Sequence, residues 1–162
     1  MHSLEKLFTD EENEKMEKEM TYTDWEKSWQ DRYDKFPKEF AFSKEQLKEG
    51  LKRLGVESTN DVISIGCGGF IRKTDVERYK KLNKEHKKDK ENMMKNDKFV
   101  VDIFLTELAN YEYGYTMDWT DALFASGISL KEFKANSRYQ KLLAEAIKEY
   151  KKGEKDGKSN PT

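Results

Sequence analysis

The sequence predicts an α+β fold, a predominantly helical single domain with a small β-hairpin or small antiparallel sheet, and three observations predict it. Apolar residues recur at spacings of three and four along most of the chain, from the Tyr22 to Phe36 aromatics to the Tyr139 to Tyr150 face, which is helical periodicity. One β-branched run, Val62, Ile63 and Ile65, meets the bend Gly66-Cys67-Gly68-Gly69 and resumes as Phe70-Ile71, the pattern of a tight hairpin. Composition supplies the third: with 162 residues, 39% charged, 35% hydrophobic and a net charge of −1, the chain can bury one small core beneath long solvated helix faces, without strong self-repulsion. Residues 21–152 are expected to form this domain, flanked by an acidic helical arm at 1–20 and a disordered tail at 153–162.

Taken in order, residues 4–20 permit a helix but offer few apolar positions, so this arm packs weakly. Thr23-Asp24-Trp25-Glu26 fits a capping box, in which a hydroxyl and a carboxylate satisfy the free amides of a helix start. Behind it Tyr22, Trp25, Trp29, Tyr33 and Phe36 make one aromatic stripe, which Pro37 stops. Phe40-Ala41-Phe42 reads as an edge strand able to pair with the hairpin. Ser43 caps the next helix, Leu47, Leu51 and Leu54 share its inner face, and Gly55 ends it.

After the hairpin a second box, Thr74-Asp75-Val76-Glu77, is expected to open a helix whose continuation, Asn83 to Asn92, has no apolar residue to bury and so projects into solvent or toward a charged partner. Phe99 to Tyr111 is the most apolar helix and the expected core element. Short helices follow around Trp119 to Ala125 and from a Ser129 cap, and a last one runs from Ser137 to about Lys152.

Function classes narrow by spacing. A glycine-rich turn before a helix start suits phosphate, because amides and helix dipole both favour anions there. A Walker loop, however, needs G-x-x-x-x-G-K-[ST], and here Gly69 stands four residues before Lys73; a dinucleotide fingerprint needs a glycine where Ile71 stands. Cys67 lacks a histidine in any nucleophile motif, since the histidines are His2 and His86. Glu107, Glu112, Asp118 and Asp121 are near neighbours in sequence, as acid/base or cation sites require, although Asp118 and Asp121 also suit a helix start. No cofactor or metal motif emerges.

Residues 78–98 hold nine basic residues against four acids, whereas residues 1–20 hold seven acids against three lysines. The basic stretch is a candidate nucleic-acid face diluted by Glu85, Asp89, Glu91 and Asp97. No apolar run reaches membrane-span length, and a single cysteine suits a reducing cytoplasm.

Three stretches carry a likeness: Phe40-Ala41-Phe42-Ser43 with Gln46 and Glu49-Gly50; Gly68-Gly69-Phe70-Ile71-Arg72-Lys73 with Asp75; and Glu107-Leu108-Ala109-Asn110 with Glu112-Tyr113. Over roughly residues 20–150 the chain resembles a family of small uncharacterised proteins of bacteriophages and other mobile elements of Gram-positive bacteria. Relatives there tend to carry glycine in place of Cys67 and histidine in place of Tyr111. The resemblance implies a cytoplasmic accessory protein and no particular reaction.

The expected function is non-catalytic binding of a host or phage protein, with nucleic acid as another possible partner. Binding is expected at Gly68, Gly69, Phe70, Arg72 and Lys73 of the hairpin and at Tyr113, read as the exposed aromatic of its helix end. The alternative is a small-ligand or nucleotide site on Gly66 to Thr74.

Overall fold

A computed structural model describes residues 9–12 and 20–158, the last four by backbone alone. The expected arm at 1–20 therefore lies largely outside the described residues. Among those described, helices dominate and one three-stranded antiparallel sheet is present, the expected α+β class. Two units emerge, one built from residues 26–90 and the other from the described residues up to Trp25 together with 91–158; their boundaries fall inside helices α1 (Tyr22–Asp34) and α3 (Val76–Met93).

The 26–90 unit holds the sheet. Strand β1 (Glu39–Phe40) pairs with β3 (Gly69–Arg72), and β3 with β2 (Val62–Gly66), so the order is β1-β3-β2. Phe40 stands opposite Gly69, Ser64 opposite Phe70 and Ile63 opposite Ile71. Helix α2 (Lys44–Leu54) packs against β1. Ser43 accepts the Gln46 amide as its N-cap, and Gly55, at φ 73°, closes it with the left-handed turn that glycine allows. The packing is close: a Cβ on Gly50 would lie 2.7 Å from the Phe70 ring, so only glycine fits there.

Both capping boxes are misplaced in the sequence reading. Helix α1 starts earlier, because Thr21 rather than Thr23 accepts the Asp24 amide at 3.1 Å. At the second site a 3-10 turn, Lys73–Asp75, precedes α3 and Thr74 is exposed. Asp75 is instead buried at 5% exposure, accepting Arg72 Nε at 2.7 Å and Arg78 Nη1 at 3.3 Å.

The polar middle of α3 does not simply face solvent. It meets the aromatic stripe of α1 through polar atoms: Trp29 Nε1 donates to Asp89 at 2.7 Å, Tyr33 Oη to Asn83 at 2.7 Å and Arg32 to Glu85 at 2.7 Å. The His86 ring stands edge-on to Trp29 and Tyr33. Stripe and helix thus match by hydrogen bonds where an apolar pattern is missing.

In the other unit, α4 (Asp97–Asn110) is the core helix that the sequence predicts. Asn96 caps it, and Val100, Phe104 and Leu108 are fully buried against α8 (Ser137–Lys158), whose Leu142, Leu143 and Ala146 face them. Helices α5 (Tyr113–Thr116), α6 (Thr120–Ala125) and α7 (Leu130–Ala135) complete this core, while Tyr22 and Trp25 set their rings edge-on to Phe99. Helix α8 runs past the expected end near Lys152, through Gly153 to Lys158. Its Tyr150 hydroxyl accepts the Gly114 amide at 3.3 Å, and the Glu154 carboxylate lies against Gly114, where an added Cβ would displace it. Residues 159–162 lie outside the described residues.

Candidate binding surface at the hairpin end

The hairpin turns on Cys67 and Gly68, with φ of 53° and 79°, and Gly66 before them sits at 91°. Positive φ at both central residues gives the twist that joins antiparallel strands through a two-residue turn. A register shift between Ser64 and Gly66 lets the strand bend into it.

Across the turn lies the segment after β1. The Ala41 amide donates to the Gly68 carbonyl at 2.9 Å, and the Phe42 amide to Gln46 Oε1 at 2.8 Å. These two bonds fix the Phe42 backbone, and its ring rests over Gly68, where a Cβ would stand 2.7 Å from it. Phe42 nevertheless remains 79% exposed. Beside it opens a shallow groove of about 580 Å³, floored by Leu47, Val62 and Phe70 and rimmed by Lys44, Thr59 and Ser64. On the other sheet face Phe40 and Ile65 cover Gly69, and Phe40 and Ile63 stay partly exposed.

The sequence-predicted residues divide. Gly68 is exposed at the turn and Phe70 contributes to the groove floor, but Phe70 and Gly69 are buried, because β3 is the central strand and meets neighbours on both sides. Arg72 and Lys73 stand at the opposite end of β3 from the bend, so tip and basic pair are not one surface. Arg72 is engaged by Asp75 and reaches the Leu54 carbonyl at 3.5 Å, whereas Lys73 is exposed.

Tyr113 corrects the expectation of an exposed aromatic. Glu112 adopts a left-handed conformation, φ 52°, which re-phases the chain after α4 and turns Tyr113 into the core, edge-on to Tyr150. Tyr111 and Tyr115 are the exposed rings of that run. Phe42, which sequence reasoning did not single out, had a signal: an F-A-F strand opposite a Gly-Gly pair places rings across residues that have no side chain of their own.

The remaining ionisable candidates are dispersed. Glu107 is buried with the Tyr22 hydroxyl 3.5 Å away. Asp118 does act at a helix start, accepting the Thr120 amide at 2.8 Å, and hydrogen bonding to Thr120 lowers its pKa. Cys67 is an exposed free thiol. Among the described residues, no three His, Cys, Asp or Glu side chains converge as metal ligands would, and no helix is long and apolar enough to cross a membrane.

These features define a small α+β protein that holds an aromatic outward beside an open groove at the hairpin end of its sheet. The chain belongs to the family of unknown function DUF7659, whose model matches residues 21–149, the stretch from the α1 cap into α8. No curated protein and no solved structure matches it.

Proposed function

We propose that this chain is a non-catalytic binding protein that receives an extended, apolar segment of a partner protein at the hairpin end of its sheet. Phe42 carries the reading. A phenylalanine clamped at its backbone, yet left almost wholly in water, has already lost freedom that binding would otherwise cost, and such rigid aromatics dominate interface energies. The groove beside it borders β2, an edge strand of the sheet, so an extended segment laid there gains main-chain hydrogen bonds along β2 and a pocket for alternate side chains. The bond from Arg72 to Asp75 also favours this over a nucleotide on Gly66 to Thr74, because that guanidinium is already engaged.

The likeness of the FAFS, GGFIRK and ELAN-x-EY stretches to bacteriophage and mobile-element proteins adds a setting. The partner is a host or element protein met in the cytoplasm, and the outcome is regulation or counter-defence, by analogy with that genetic context. Co-purification tests the reading with wild type and Phe42→Asp. A partner retained by wild type and lost by a variant that stays folded, its melting temperature lower by no more than the about 2–4 °C that the lost ring contact accounts for, is expected. Recovery of the same partners in equal yield by both proteins contradicts it.

A further inference from the structure

A second surface, in the 26–90 unit and away from the hairpin turn in sequence, carries chemistry that the hairpin end does not use. Arg32 and Lys35 near the end of α1, and Arg78 and Lys81 near the start of α3, line a groove of about 330 Å³. Each pair is three residues apart and so shares a helix face. Phe36 and Leu82 supply the apolar floor. With Glu85 as the lining carboxylate, four cations stand against one acid, a net of +3.

The cations differ in how firmly they are held. Arg78 lies over the Phe36 ring at 5.1 Å and Arg32 over the Trp29 ring at 4.2 Å, while 62% and 49% of their side chains stay exposed. Glu85 is bonded to Arg32 at 2.7 Å, and Asp75 meets Arg78 at 3.3 Å. Among the described residues no carboxylate pairs with Lys35 or Lys81. The stripe continues along α3, where the exposed Lys84 and Lys88 follow Lys81 on one face, so cations extend over about 15 Å from Arg78 to Lys88.

From this arrangement we infer that the α1–α3 groove binds single-stranded nucleic acid through its phosphates, without sequence preference. Lysines lacking partners are the groups that release counterions from a phosphate chain. A guanidinium held over an aromatic ring can stack a base as well as meet a phosphate, whereas a carboxylate chain uses only its charge.

Fluorescence anisotropy with a labelled 12-nucleotide oligothymidylate and the full chain tests this. Four phosphate contacts give a salt slope near −2.8, so raising salt from about 50 to 200 mM lowers affinity about 50-fold. The double variant Lys35→Glu/Lys81→Glu alters two exposed side chains that bear no internal bond, and circular dichroism checks its fold. It is expected to bind at least about tenfold more weakly, with a slope flatter by about 1.4. Lys131→Glu/Lys148→Glu, an equal charge change in the other unit, is expected to bind within about twofold of wild type.

Several results would overturn the inference: no saturable binding below about 100 µM oligonucleotide at low salt, equal losses in the two double variants, or a duplex bound as tightly as the single strand. Displacement by polyglutamate at equal charge concentration would assign the groove to acidic polypeptide instead. None of these measurements depends on Phe42, so failure here leaves the hairpin-end reading standing.

Discussion

Replacing Gly68 with alanine perturbs the turn and the exposed aromatic at once, and the two effects separate quantitatively. The backbone at φ 79° is left-handed, which costs a residue with a Cβ about 1–2 kcal/mol. The new methyl would also stand 2.7 Å from the Phe42 ring, which must swing away. That ring is 79% exposed, so it buries about a fifth of its area; at about 25 cal/mol per Å² for the ~40 Å² of contact, displacement costs about 1 kcal/mol. Gly68→Ala is therefore expected to destabilise wild type by about 2–3 kcal/mol, but a Phe42→Ala background by only about 1–2 kcal/mol.

The Ala41 carbonyl, 3.1 Å from the added atom, is met in both backgrounds and cancels from the difference. Gly66→Ala is the control: it has φ 91° and no atom within 4 Å of an added Cβ, so its strain is independent of Phe42. Urea unfolding of the six proteins reads the coupling, and thermal scans should show it as about 2–4 °C. An equal cost of Gly68→Ala in both backgrounds would refute the placement of Phe42 over the turn.

Other predictions follow from the corrected positions. Asp75→Ala removes the acceptor shared by Arg72 and Arg78, and because both arginines are partly solvated the expected loss is about 1–3 kcal/mol by chemical denaturation. Thr74→Ala should leave stability unchanged, where a capping role would cost about 1 kcal/mol. Tyr113→Ala empties a core site and is expected to cost about 3–4 kcal/mol, whereas Tyr115→Ala, at a residue 92% exposed, should stay within about 0.5 kcal/mol; similar losses at both would contradict the re-phasing at Glu112.

For His86, burial first and Lys90 second hold the pKa below the ordinary 6.5, with Asp89 opposing. The unfolded chain therefore takes up the proton first. Stability is full above the unfolded value and is lost as pH falls through the lower folded one. The melting temperature should thus fall as pH drops below about 6.5, with a shallower fall in His86→Gln; identical slopes would sink the linkage.

Local signals made much of this fold readable. The turn glycines, the Ser43 cap, the Gly55 stop and the apolar face of α4 each follow from a few neighbouring residues, and each forms where it is expected. Reading fails where a distant residue decides. Thr74 is instead a local failure: a 3-10 turn over Lys73–Asp75 replaces the expected cap, with Asp75 held by Arg72 and Arg78, each three residues away. Asn83, Glu85 and Asp89 meet α1 through polar atoms, so a search for apolar periodicity sees only a solvated face.

Tyr113 is displaced by one left-handed residue, Glu112, at a position where glycine would ordinarily announce the change. At the hairpin end the bend was legible, but its exposed aromatic was not. Burial of Phe70 and exposure of Phe42 depend on which strand is central, a fact of topology rather than of spacing.

Site-specific photocrosslinking tests recognition at the hairpin end most directly. With p-benzoylphenylalanine in place of Phe42 in producing cells, irradiation is expected to yield a discrete adduct with one protein, suppressed by excess unlabelled wild-type chain. The same probe at Tyr115, equally open to solvent but in the other unit, should yield none. An adduct at Tyr115 with nothing at Phe42, or none at either position, would contradict a partner seated beside the turn.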